Sequence, residues 1–209
     1  MDDKLTFKEK RDLVLEAGLQ ALPYVGGSLA TLYFGAKQEK RFKRIESFYR
    51  ELAKELEDLK VNLLPIHKHD EDKIIAIIEE LNERIEREHL EEKRRYFKNF
   101  LRNALQTPTK DYNFDERKYF LDTLSIMSLL ECELMMFLTT IQNAIEIGSI
   151  EKRGTSQYAI VGAVGRLVNY GFVRQLQGKM IFGPQIDNTL YQLVELSDFG
   201  RKFIDFCLK

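Results

Sequence analysis

Few side chains in this sequence could do chemistry alone, and their spacing limits each of them. Cys132 and Cys207 are the only thiols among 209 residues. Two distant cysteines make neither a disulfide framework nor a zinc ribbon, and they suit a reducing compartment. Cys132 falls inside an expected buried helix and Cys207 on the apolar face of the last one, so both read as packing residues rather than nucleophiles. His67, His69 and Asp70 lie close together in the chain. A structural zinc normally takes four ligands, and no others are identifiable. His89 sits in a charged helical run and reads as exposed. The many glutamates follow helix-surface spacing, which carboxylates do without catalysis. There is no G-x-S-x-G, P-loop, H-E-x-x-H or dinucleotide fingerprint. On that ground the expectation is a protein that is not an enzyme and uses neither cofactor nor metal.

The charge supports binding over catalysis but names no partner. Lys and Arg total 32 against 33 Asp and Glu, a net charge of -1, so the simplest case for nucleic-acid attraction is gone. The hydrophobic share of 44% is enough to fill a core. The N-terminus lacks the pattern of a secretory signal, because Asp2, Asp3 and Glu9 interrupt its basic start. Thr6-Phe7-Lys8-Glu9 reads instead as a capping box opening a helix that Pro23 stops. The expected location is cytoplasmic, with membrane association left open by the next segment.

Residues 17–36, AGLQALPYVGGSLATLYFGA, carry no charge, and Lys37, Lys40, Arg41, Lys43 and Arg44 follow. About 20 apolar residues cross a bilayer, and a basic flank marks the cytoplasmic side. This segment could therefore act on a membrane. Pro23, Gly26, Gly27 and Ser28 interrupt it, so burial of two short apolar pieces is the reading preferred here. The small residues Gly26 and Ala30 permit close helix contact.

Beyond it, Ile45, Tyr49, Leu52, Leu56, Leu59 and Leu63 recur at intervals of 4, 3, 4, 3 and 4. That is a heptad seam, and it predicts a long helix over about 38–64 ended by Pro65. A second long helix is expected over about 72–105, with a strongly charged middle, EREHLEEKRR. The two would form a coiled-coil-like antiparallel hairpin. Such a rod exposes more apolar surface than it covers, so the seam is expected to bind a partner protein or a second copy.

The texture changes near Lys110. Residues 1–110 hold 22 basic and 21 acidic side chains, and residues 111–209 hold 10 and 12. The expected organisation is 1–110, an apolar segment plus helical hairpin, and 111–209, a second domain. In the latter a short helix covers about 116–124. A second capping box, Ser128 to Glu131, opens a helix to about Ile145, and Ser156 opens another to about Tyr170. A two-stranded hairpin over 175–182 and 189–196 and a closing helix from Ser197 follow.

That order, with "GRLVNYGFV" at 165–173 and "YQLVELSDFGRKFIDFCLK" at 191–209, resembles the winged helix-turn-helix superfamily, in which "LTxxGxxF" is a frequent ending. The resemblance implies a mainly α fold with a small β-hairpin, and a helix that can read DNA. Contact would fall to Gln157, Arg166 and Asn169 on that helix, with Arg174 and Lys179 on the wing. Only one of the helix residues is basic, which favours docking to protein over DNA. Taken whole, "LPYVGGSLATLYFG", "RFKRIESFYRELAKELEDL" and "LSDFGRKF" resemble the Abi-alpha-like bacterial proteins of phage defence and abortive infection. That resemblance implies an antiviral interaction or effector role. Three functions stay open: a helical interaction protein, a DNA-binding regulator, and a membrane-acting effector.

Overall fold

The structure is a computed structural model that describes residues 39–176, 178 and 188–209, with side chains from Arg44 onward. The capping box at Thr6, the apolar window 17–36 and the tip of the expected hairpin lie outside these residues. The fold is mainly α, with a small three-stranded antiparallel sheet near the C-terminus. The chain divides into two compact units after Ser125, later than the composition change near Lys110.

In the first unit, α1 (Glu39–Asp58), α2 (Glu71–Arg87), α3 (Glu91–Gln106) and α4 (Asp111–Ile126) alternate in direction. Tyr49 donates to Asn82 at 2.8 Å and Arg44 reaches the Glu86 carbonyl at 3.0 Å, so α1 and α2 are antiparallel. Lys98 meets Glu51 and Arg102 meets Glu55, each at 3.1 Å, so α3 runs with α1. Arg84 meets Asp122 at 3.2 Å and Glu80 meets Lys118, so α4 runs with α2. The product is an up-down-up-down bundle.

Ile45, Tyr49, Leu52, Leu56 and Leu63 are all buried, enclosed by the same polypeptide. The expectation that this seam needs another chain is therefore corrected: α2 and α3 cover it. Leu59 leaves the seam altogether and is 59% exposed. The cause is local. The α1 helix ends at Asp58, well before Pro65, because Val61 N–H bonds back to Leu56 O and Lys60 adopts a left-handed φ of 51°. This is a Schellman-type stop with lysine where glycine is usual.

The second long helix is also corrected. It breaks at Glu88-His89-Leu90 into α2 and α3. A straight rod would leave Phe97, Phe100, Leu101 and Leu105 without a surface, whereas folding back buries them. Each such side chain is worth about 1.5–3 kcal/mol, enough to overrule local helix preference. The connector of α3 and α4 is held by Arg117, which is buried. Its guanidinium donates to the carbonyls of Ala104 and Thr107 and to Thr109 Oγ1.

In the second unit, α5 (Leu129–Thr139) starts from the expected capping box but stops at Thr139, short of Ile145. The chain then forms β1 (Ile145–Glu146), α6 (Gln157–Asn169), β2 (Val173–Leu176), β3 (Leu193–Leu196) and α7 (Asp198–Phe203), with a π-helical last turn over Ile204–Leu208. The sheet order is β1-β3-β2. The expected hairpin over 175–182 and 189–196 is corrected: its strands pair over Val173–Leu176 and Leu193–Leu196, Asn188–Tyr191 forms a 3-10 turn, and a third strand, β1, too short to show an alternating pattern, joins them. Gly171, at φ 76°, closes α6, and Phe172 N–H returns to Leu167 O. Phe172 then stacks on Phe203 with centroids 4.3 Å apart. The glycine of "LSDFGRKF" has a packing cause: a Cβ on Gly200 would sit 2.1 Å from the Phe172 carbonyl oxygen.

Candidate functional site

The contact residues read from the sequence fall on α6 and the strand after it. Ser156 caps α6 by accepting from Ala159 N–H, and Ile160, Ala163, Val164 and Leu167 bury one face. The opposite face carries Tyr158, Ala159, Gly162, Gly165, Arg166 and Asn169, all exposed. A Cβ added at Gly162 or Gly165 would meet nothing within 4 Å. Neither glycine has a left-handed φ. Glycine in a helix interior costs about 0.8–1 kcal/mol relative to alanine, and nothing in the unit's own packing accounts for either residue.

Several polar groups of this region are bonded within the unit, although the arginines remain exposed. Arg166 makes a two-point pair with Glu131, Nε to Oε1 at 2.9 Å and Nη2 to Oε2 at 3.1 Å. Glu131 is fully buried and also closes the α5 capping box, accepting from Ser128 N–H at 2.6 Å. The hydrogen bond and charge of Glu131 push the Arg166 guanidinium's pKa upward. Gln157 donates to the Ile147 carbonyl at 2.8 Å. Arg174 pairs with Glu195, its register partner on β3, at 2.8 Å. Lys152 pairs with Glu133. Asn169 stays on the exposed face, and Lys179 lies outside the described residues. The structure thus gathers Arg166, Gln157 and Arg174 into one unit, each bonded within it, with both arginines still exposed. Glu131 was missed as the anchor of Arg166, although its place in the capping box was legible.

Two other clusters involve titratable groups in the first unit. Glu80 and Asp122 share a clip with Lys118 and Arg84. Burial would raise Glu80, but hydrogen bonds from Asp122, Lys118 and Arg84 outweigh it and hold the carboxyl at about 2. Burial, then the bond to Glu80 and its charge, raise Asp122. The second cluster is His69. Its Nδ1 accepts the Thr109 N–H at 3.1 Å, which leaves the ring proton on Nε2. Asp70 caps α2 and holds Lys73. The clip ties α2 to α4, and the groups around His69 and Asp70 fasten a connector and a helix start. His67 is exposed, and among the described residues no three His, Cys, Asp or Glu side chains converge as a metal site would require.

Cys132 and Cys207 are both buried, and burial, with a smaller effect of Cys132, pushes the Cys207 thiol upward, away from nucleophilic character. Of the basic flank, Lys37 lies outside the described residues, and Lys40, Arg41 and Lys43 stand on α1. Arg44 is engaged with the end of α2. No helix among the described residues is long and apolar enough to cross a membrane. Comparison with protein-family profiles, with curated proteins and with solved structures gave no match.

Proposed function

We propose that this protein acts by binding rather than catalysis, and that its C-terminal unit docks a protein partner on the outer face of α6. The arrangement of that unit supports a winged-helix reading. A helix, a short strand, a presenting helix and a strand pair follow in order, with β3 central in a β1-β3-β2 sheet. The usual second helix is reduced to the turn Ile147–Ser149. In such proteins the position of α6 is the one that meets the ligand.

The observation that carries the protein-docking reading is that the cations beside α6, though exposed, are already paired with carboxylates. DNA binding draws its strength from Lys and Arg free to neutralise phosphates. Here Arg166, Arg174 and Lys152 each face a carboxylate of their own unit. What α6 offers outward is Tyr158, a track of alanine and glycine that admits a partner's backbone closely, and the polar Arg166 and Asn169 beside it. The Abi-alpha-like resemblance would set this docking in phage defence.

Fluorescence anisotropy of the full chain with a random-sequence DNA duplex, across a salt series, separates the two ligand classes. The expected result is no salt-linked binding near physiological ionic strength. Binding that weakens steeply with salt, with a slope that Arg166→Ala or Lys179→Ala flattens, would establish the DNA regulator instead.

A further inference from the structure

The break between α2 and α3 goes against the local sequence. From Glu71 to Gln106 there is neither glycine nor proline. A helix normally stops at such a residue and restarts at Ser, Thr, Asp or Asn. Here α2 ends at Arg87 with Glu88 as its cap, and α3 restarts from Leu90, which makes no side-chain capping bond. Leucine is among the poorest residues at that position. The φ angles at the break are compatible with helix, but ψ is extended. Glu88 has φ -78° and ψ 123°, and Leu90 has φ -84° and ψ 124°. Rotation about ψ at these residues, with His89 following, would carry the helix through.

Side chains hold the break open. Arg44 Nε donates to the Glu86 carbonyl at 3.0 Å, withdrawing it from the helix. Arg94 Nη1 reaches the carbonyls of Glu88 at 3.5 Å and His89 at 3.3 Å. Glu88 Oε1 accepts the Leu90 N–H at 2.9 Å, and Lys93 stands 3.5 Å from Glu88. These are the contacts that would be given up or rearranged if the connector became helical.

We propose that the α2–α3 connector is an exchange hinge, and that the first unit forms a swapped dimer with a second copy of this chain. In the open form α2 and α3 are one helix of roughly 54 Å at 1.5 Å per residue. Two such rods, antiparallel, rebuild two bundles. Each bundle takes α1 and α2 from one copy and α3 and α4 from the other. Every pair that joins the two halves is remade between chains, including Glu51–Lys98, Glu55–Arg102, Arg84–Asp122 and the Glu80–Lys118 pair. The apolar core is conserved as well, so the balance rests on the connector and on protein concentration. A connector that favours helix tilts it toward the dimer.

The test is refolding of the full chain from denaturant over a range of concentrations, read by light scattering after size exclusion. Two opposed variants keep it decisive. Arg44→Ala/Arg94→Ala removes the clamps and should raise the dimer fraction several-fold. Glu91→Pro sits at the first helical position, where proline is tolerated, and Leu90 already has the extended backbone that a following proline requires. It permits the break but forbids the continuous helix, so the dimer should vanish while the helical circular dichroism is kept. Mixing unlabelled and 15N-labelled chains before refolding, then joining Glu51 or Glu55 to Lys98 with a carbodiimide, identifies the exchange. Mixed-label peptides in the dimer are expected. A clamp-free variant that refolds only as monomer would overturn the proposal, as would a dimer carrying same-label peptides alone or one that persists in Glu91→Pro.

Discussion

His69 shows how one ring can hold two connectors together. Its Nδ1 takes the Thr109 amide proton, while Asp70 N–H returns to the Thr109 carbonyl at 2.8 Å. Burial, then the charges of Arg117 and Lys110, push its pKa below the ordinary value of 6.5, against the pull of the Leu64 carbonyl. The folded-state pKa is thus lower than the unfolded one. The neutral ring's contribution is complete above pH 6.5 and is lost as pH falls from there through the folded value. Denaturant melts across this range should show wild type losing stability relative to His69→Gln as the solution is acidified. Parallel curves would contradict the assignment. Lys60 is the opposite case, a residue in the wrong chemistry for its backbone. Its left-handed φ of 51° favours glycine. Lys60→Gly should raise the unfolding free energy by about 0.5–1 kcal/mol in urea titration, and a loss would show that the lysine side chain contributes more than the strain costs.

At the scale of elements, apolar spacing revealed which faces are buried more faithfully than where helices end. Ile45, Tyr49, Leu52 and Leu56 read correctly as one stripe, and the capping box at Ser128 and the cap at Ser156 marked true helix starts. The stop at Asp58 was illegible because lysine occupies the glycine position, and the break at Glu88 because no glycine or proline marks it and only the burial of the α3 face and the contacts of Arg44 and Arg94 set it. Periodicity also says nothing about whether a stripe is covered by its own chain or by another. The glycines of α6 were legible as letters, but their lack of neighbours was not. Gly162→Ala and Gly165→Ala should each raise stability by about 0.8–1 kcal/mol in thermal or chemical unfolding, since the methyl enters open space. A drop in stability would mean that the helix needs glycine for its own packing, and the docking argument would lose its basis.

For the whole molecule, the two units divide the work. The first is a bundle whose ion pairs and connectors are internally satisfied to a large degree, and whose long-helix sequence survives as a hinge. The second carries the outward face. Of the cations that are contact candidates on sequence grounds, Arg166 and Arg174 are paired with carboxylates yet exposed, and they share the surface with the small residues of α6. The most direct test places a photo-crosslinking amino acid at Ala159 in the full chain, expressed in its own host, with a matched probe at exposed Asp115 as control. The account predicts a discrete protein adduct specific to position 159, with a yield that falls sharply in Gly162→Ala/Gly165→Ala although that variant is the more stable protein. An adduct of nucleic acid, or a protein adduct whose yield ignores both glycines, would contradict it.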